Sequence, residues 1–182
     1  MKKKIFTAMT ILTVLFASCG SSSNVASNNV KSEQIEIIDD VTKYSKISVD
    51  DLKNIMGEPL SEQNWSNQTS SGTYELTILS YDKDLNHYEF IIGDGVVVKL
   101  TIYSSMDWNG TGELFSYSGD KSDIPAMFGI KLGSNVENKG DTGYAYRISN
   151  VNDSIADVHV LEMADDCTFG MIKFTNDEHY FE

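Results

Sequence analysis

The chain has 182 residues, 41% hydrophobic and 10% aromatic, which is apolar surface enough for a packed core. Its formal charge is −13; removal of Lys2, Lys3 and Lys4 with an amino-terminal segment that holds no acidic residue leaves 11 Lys plus Arg against 27 Asp plus Glu, or −16. A surface that acidic repels nucleic acid and anionic headgroups, and excludes nucleic acid as a partner.

Residues 1–18 run from the basic head Lys2-Lys3-Lys4 through an apolar stretch, Ile5 to Phe16, to the small residues Ala17 and Ser18. That is the order of a secretory signal peptide, and the apolar part is shorter than the roughly 20 residues a spanning helix needs. Phe16-Ala17-Ser18-Cys19 resembles the lipobox of bacterial lipoproteins, with Phe16 where the family usually has Leu. The resemblance implies cleavage before Cys19, acylation of its sulfur, and anchoring to the cell membrane or envelope facing away from the cytoplasm. Residues 19–32, Ser- and Asn-rich without aromatics, read as a lipidated cysteine followed by a flexible tether.

From Ser48 the signals become structural. Ser48 can cap a helix over Val49 to Met56, Asp51 sits three residues on, and Gly57 and Pro59 stop it. Val49, Leu52, Ile55 and Met56 recur at helical spacing as an apolar stripe. Tyr74, Leu76 and Ile78 then alternate with polar residues, and His87–Ile92 and Val96–Tyr103 flank the hairpin signal Gly93-Asp94-Gly95. Residues 35–46 fit either a helix or a strand.

A shift of 72 residues lays the second half on the first. Asp51-Leu52-x-x-Ile55-Met56-Gly57 falls on Asp123-Ile124-x-x-Met127-Phe128-Gly129, Tyr74 on Tyr146, His87 on His159, Leu100 on Ile172 and Ile102 on Phe174. The expectation is an α+β chain of two similar helix-on-antiparallel-sheet modules in tandem, over 33–104 and 120–182, joined by a linker at 105–119. The capped helix ending Met56-Gly57-Glu58-Pro59, the Tyr74 strand, Tyr88-Glu89-Phe90-Ile91 and the glycine turn into Val96-Val97-Val98 resemble the BamE and beta-lactamase-inhibitor-protein fold. That resemblance implies action by protein contact and a concave sheet surface offered to a partner.

Catalytic signatures are missing: the three histidines, His87, His159 and His179, lie in no nucleophile-elbow context, and no phosphate-cradling glycine loop occurs. No enzyme activity and no cofactor are expected. His87 and His159, brought to equivalent strand positions by the repeat, could share a metal with help from Glu89 or Glu162, although solvent-facing strand residues are the better account of both. Trp65, in a polar loop after the helix, and Trp108 and Tyr117, in the linker, are candidates for a recognition surface, since exposed aromatics dominate contact hot spots. The functional expectation is a membrane-anchored binding or scaffolding module, inhibitor-like in action, for another extracytoplasmic protein. The alternative is a receptor for a small ligand or metal.

Overall fold

The structure, a computed structural model, describes residues 35–182. The signal peptide, Cys19 and the tether fall outside the described residues. Ser48 caps α1 (Val49–Met56) as the sequence implies, its Oγ accepting from the Asp51 amide at 3.1 Å, and Gly57 closes the helix at φ 84°. Of the apolar stripe, Leu52 is fully buried and Val49 and Met56 are partly so, while Ile55 points to solvent. Residues 35–46 are neither of the two expected forms. A single 3-10 turn (Val41–Tyr44), capped by Asp40, is strapped to the second half by Ile38 and Val41 amides donating to the Met127 and Phe128 carbonyls.

Four strands follow: β1 (Ser61–Gln68), β2 (Thr73–Lys83), β3 (Asn86–Gly93) and β4 (Val96–Tyr103). The β3–β4 turn has positive φ at both Asp94 (49°) and Gly95 (79°), the backbone of a two-residue hairpin. Next come α2 (Ser105–Asn109), β5 (Phe115–Ser116) and a short α3 (Ile124–Met127) that opens with Pro125 in its first turn, where a missing amide costs nothing. The chain ends with β6 (Glu137–Asp141), β7 (Ala145–Ser149), β8 (Asp157–Met163), β9 (Thr168–Thr175) and a 3-10 turn at Glu178–Tyr180.

The expectation of two separate helix-on-sheet modules is overturned here. All nine strands form one antiparallel sheet in the order β1-β2-β3-β4-β9-β8-β7-β6, with β5 added on β9, and the helices are few and short. The seam between the halves is a full strand pair, β4 on β9, from Lys99↔Thr175 to Tyr103↔Met171. Its register is centred on Thr101↔Lys173, two residues 72 apart, and β4 and β9 are offset by that same 72 at both ends. The halves therefore meet by their last strands, edge joined to edge. The physical reason is that two four-stranded sheets would leave β4 and β9, both largely buried, with unpaired amides on an open edge. The outer edges that remain, β1 (SEQNWSNQ) and β6 (ENKGD), are polar, and β6 carries a register shift at Asn138/Gly140, both features that discourage further pairing.

The inner face of the sheet holds the main core: Leu79, Tyr88, Phe90, Leu100, Ile102, Val160, Ile172 and Phe174 under Leu52, Tyr44, Ile124 and Phe128. Inside it Asp39 is a buried carboxylate, held by Lys83 Nζ at 2.8 Å, Lys43 and the Tyr44 hydroxyl. Part of the outer face is covered by a second cluster, in which Tyr180 and Phe181 from the carboxyl terminus pack on Leu76, Val98, Tyr74 and Trp65. Among the described residues no helix is long and apolar enough to cross a membrane.

Candidate functional site

The uncovered part of the outer face carries polar side chains in rows that cross the strands. Strand pairing sets Glu89, Thr101, Lys173, His159 and Arg147 side by side on β3, β4, β9, β8 and β7. The next row holds Lys99, Thr175 and Asp157. On the far side of the first row, His87 pairs with Tyr103.

His87 anchors an aromatic stack. Its ring lies flat against Trp108, centroids 3.6 Å apart at 1°, and Tyr103 leans on both, 5.9 Å from His87 and 5.3 Å from Trp108. α2, capped by Ser104, delivers Trp108 to this position, and the indole is still 47% exposed. His87 Nδ1 is 2.7 Å from Asp82 Oδ1, while its buried Nε2 has no hydrogen-bond partner. An acid–imidazole pair is two parts of a nucleophile triad; among the described residues no hydroxyl or thiol bonds to the second nitrogen. The Tyr103 hydroxyl donates to Glu89 at 2.9 Å, and burial together with that carboxylate raises it well above the usual phenol range.

The two histidines proposed to converge do not. Both face outward, but His159 is in line with Glu89 and not with His87, because β4 and β9 meet antiparallel about Thr101↔Lys173, which sends equivalent positions to opposite sides of that row; a two-residue slip of β8 brings His159 back only as far as the row itself. Three strand spacings, about 14 Å, separate β3 from β8, too far for one ion. Among the described residues no group of three or more His, Cys, Asp or Glu side chains is arranged to hold a metal. Burial, together with Arg147, Lys173 and Lys99, lowers the His159 pKa against the opposing pull of Asp157.

The three aromatic candidates lie apart. Trp65 is half-buried in β1 rather than in a loop, stacked on Phe181 with centroids 6.5 Å apart, and level with Leu76 and Gly93. Trp108, over His87, is at the other end of β3 from Gly93, about 20 Å along the strand. Tyr117 follows β5 on the inner side, against Phe169. Of these, Trp108 alone joins a large exposed surface to a fixed ring geometry.

Sequence reasoning missed the cations of the outer face. Lys99, Lys173, Arg147 and His159 line a cavity of about 230 Å³ together with Asp157 and carboxyl-terminal residues. They sit on four strands and come together only through register.

No family model and no curated protein matches the chain. Two solved structures align with it: a cysteine-rich secretory protein from Staphylococcus aureus subsp. aureus Mu50 (8% identity, TM-score 0.45) and an extracellular protein containing a SCP domain from Bacillus anthracis str. Ames (10% identity, TM-score 0.43). The alignments cover 81% and 86% of this chain and about half, 49% and 51%, of those proteins. The resemblance to tandem BamE and beta-lactamase-inhibitor-protein modules is withdrawn, because the nine strands form one continuous sheet and not two modules. Both aligned proteins are described as secretory or extracellular.

Proposed function

We propose that the chain is an extracytoplasmic binding module, held to a membrane by lipid on Cys19, that recognises another envelope protein through the outer face of its sheet with Trp108 as anchor. The observation that carries this reading is the stack of Trp108 on buried His87: a large, half-exposed indole whose orientation is already fixed. An anchor ordered before contact loses little side-chain entropy on binding, which is where much of the cost of association lies.

A photo-crosslinking side chain placed at position 108 should capture one specific protein in the native envelope, and the same group at exposed Asp153 should not. Trp108→Ala should weaken binding to that captured partner about tenfold or more, the usual size of a hot-spot loss. Equal capture from both positions, or none from 108, would overturn the reading.

Anchoring rests on the order basic head, apolar stretch, small residues, cysteine. Two or more acyl chains hold durably where one is marginal. The mass of the mature protein should show cleavage before Cys19 and added diacylglycerol, and Cys19→Ala should release the chain from the membrane. An unmodified Cys19, or a mature chain in which the two cysteines are joined to each other, would sink the lipid anchor.

A further inference from the structure

We infer that the outer face carries a second, separate site: a pocket for a phosphate group, formed by Lys99, Lys173, Arg147 and His159. It stands apart from the Trp108 surface and does not depend on it.

Charge distribution is the first argument. Residues 35–182 hold ten Lys and Arg, and three of them line this one cavity of about 230 Å³ on an otherwise acidic protein. Like charges packed together in a fold repel, and the cluster lowers its own basicity: burial first, then Lys173, holds Lys99 below the usual lysine range. An arrangement that disfavours itself when empty is stabilised by an anion.

Pairing is the second argument. Asp157, nearly fully buried, is already bonded to Arg147, Nε to Oδ2 at 2.7 Å. Among the described residues neither Lys99 nor Lys173 enters an ion pair; Lys99 Nζ instead lies 4.4 Å over the Phe181 ring. Two lysines without a counter-ion, one of them mostly buried, are the residues an incoming oxyanion would meet.

Geometry is the third. Lys173, His159 and Arg147 are neighbours in one cross-strand row and Lys99 lies in the next, so the donors stand on strands rather than on loops. Use of Arg147 Nε by Asp157 fixes the guanidinium plane and leaves its terminal nitrogens as a fork suited to two oxygens of one group. The rim carries Glu178 and the chain's last residue, Glu182. Burial raises the Glu178 carboxyl, and Glu182 and Asp157 add to the shift. These carboxylates offset the charge of the cations, so an anion would be held by direct contact with the four donors and not by net charge.

The test is titration of the mature full-length protein with inorganic phosphate at constant ionic strength, followed by calorimetry and by the His159 imidazole resonances. Constant ionic strength removes general screening. Saturable binding with a shift confined to His159 and its strand neighbours is expected. Lys173→Gln, which removes a charge from a half-exposed side chain, should weaken binding about tenfold, as loss of a charge-assisted hydrogen bond does; Lys99→Met should do at least as much. Glycerol 1-phosphate in a parallel titration separates the sources: binding as tight as phosphate identifies a phosphate ester on a larger molecule, and markedly weaker binding identifies the free ion. No saturable effect, or full binding by a folded Lys173→Gln protein, would overturn the site while leaving the Trp108 reading untouched.

Discussion

Asp39 is the residue on which the amino-terminal strap depends. Its side chain is 4% exposed, and burial alone would raise its pKa; hydrogen bonds from Lys43 and Lys83, and their charge, outweigh burial and hold the carboxyl below the usual range. A folded-state pKa below the unfolded 3.8 means that the unfolded chain binds the proton more readily. The stabilisation is therefore present above that value and is lost as pH falls through the lowered one. Asp39→Asn should cost about 2 kcal/mol at neutral pH, the scale of hydrogen bonds to a charged group, and should flatten the acid limb of a denaturation-against-pH curve. An unchanged acid limb would show that Asp39 is not the titrating group. None of this is legible in the sequence, where Asp39-Asp40 is one acidic pair among several, because Lys83 lies 44 residues away. His87 and Trp108 pose the same difficulty: each is individually ordinary, and their stacking depends on where α2 is laid over β3.

At the scale of elements, local signals were read well where the chemistry is local. The Ser48 cap, the Gly57 stop and the Asp94-Gly95 hairpin all follow from backbone demands that a few adjacent residues meet. Gly129, 72 residues after Gly57, is a second such demand, with φ at 73° after α3. A Cβ there would come within 2.7 Å of Asp40 Oδ1 and 3.0 Å of Asp40 Cα, disturbing the cap of the 41–44 turn. Gly129→Ala should lower stability by roughly 2 kcal/mol, left-handed strain plus the clash, measured by chemical denaturation. A loss under half of that would show that the strap can yield. β1 and β6 escaped sequence reasoning because edge strands kept polar to prevent aggregation lack the alternation by which strands are recognised. The 72-residue offset predicts β4 and β9 well and fails between them: Tyr74 packs on the outer cluster and Tyr146 on the inner core.

Across the whole molecule the outer face is divided between a covered part and an open part, and the carboxyl terminus sets the boundary. Tyr180 is 8% exposed, donates to Asp94 Oδ2 at 2.7 Å, and lies so close over Gly93 that a Cβ there would fall 2.8 Å from its ring. Tyr180→Ala should cost roughly 3 kcal/mol, as removal of a buried aromatic does, while Tyr180→Phe should cost about 1 kcal/mol for the hydrogen bond alone. Equal losses in thermal denaturation would mean that the ring itself contributes nothing.

By itself the sequence determined the acidic charge, the capped α1, the β3–β4 hairpin and the alternation that gives the inner core, since each is written in composition or in residues close together in the chain. Only the tertiary structure decided that two expected modules are one sheet, that His87 and His159 part company, and that Lys99, Arg147, His159 and Lys173 meet. The reason is register. Which strands pair, and in what register, changes no local pattern, yet it decides which side chains stand in the same row.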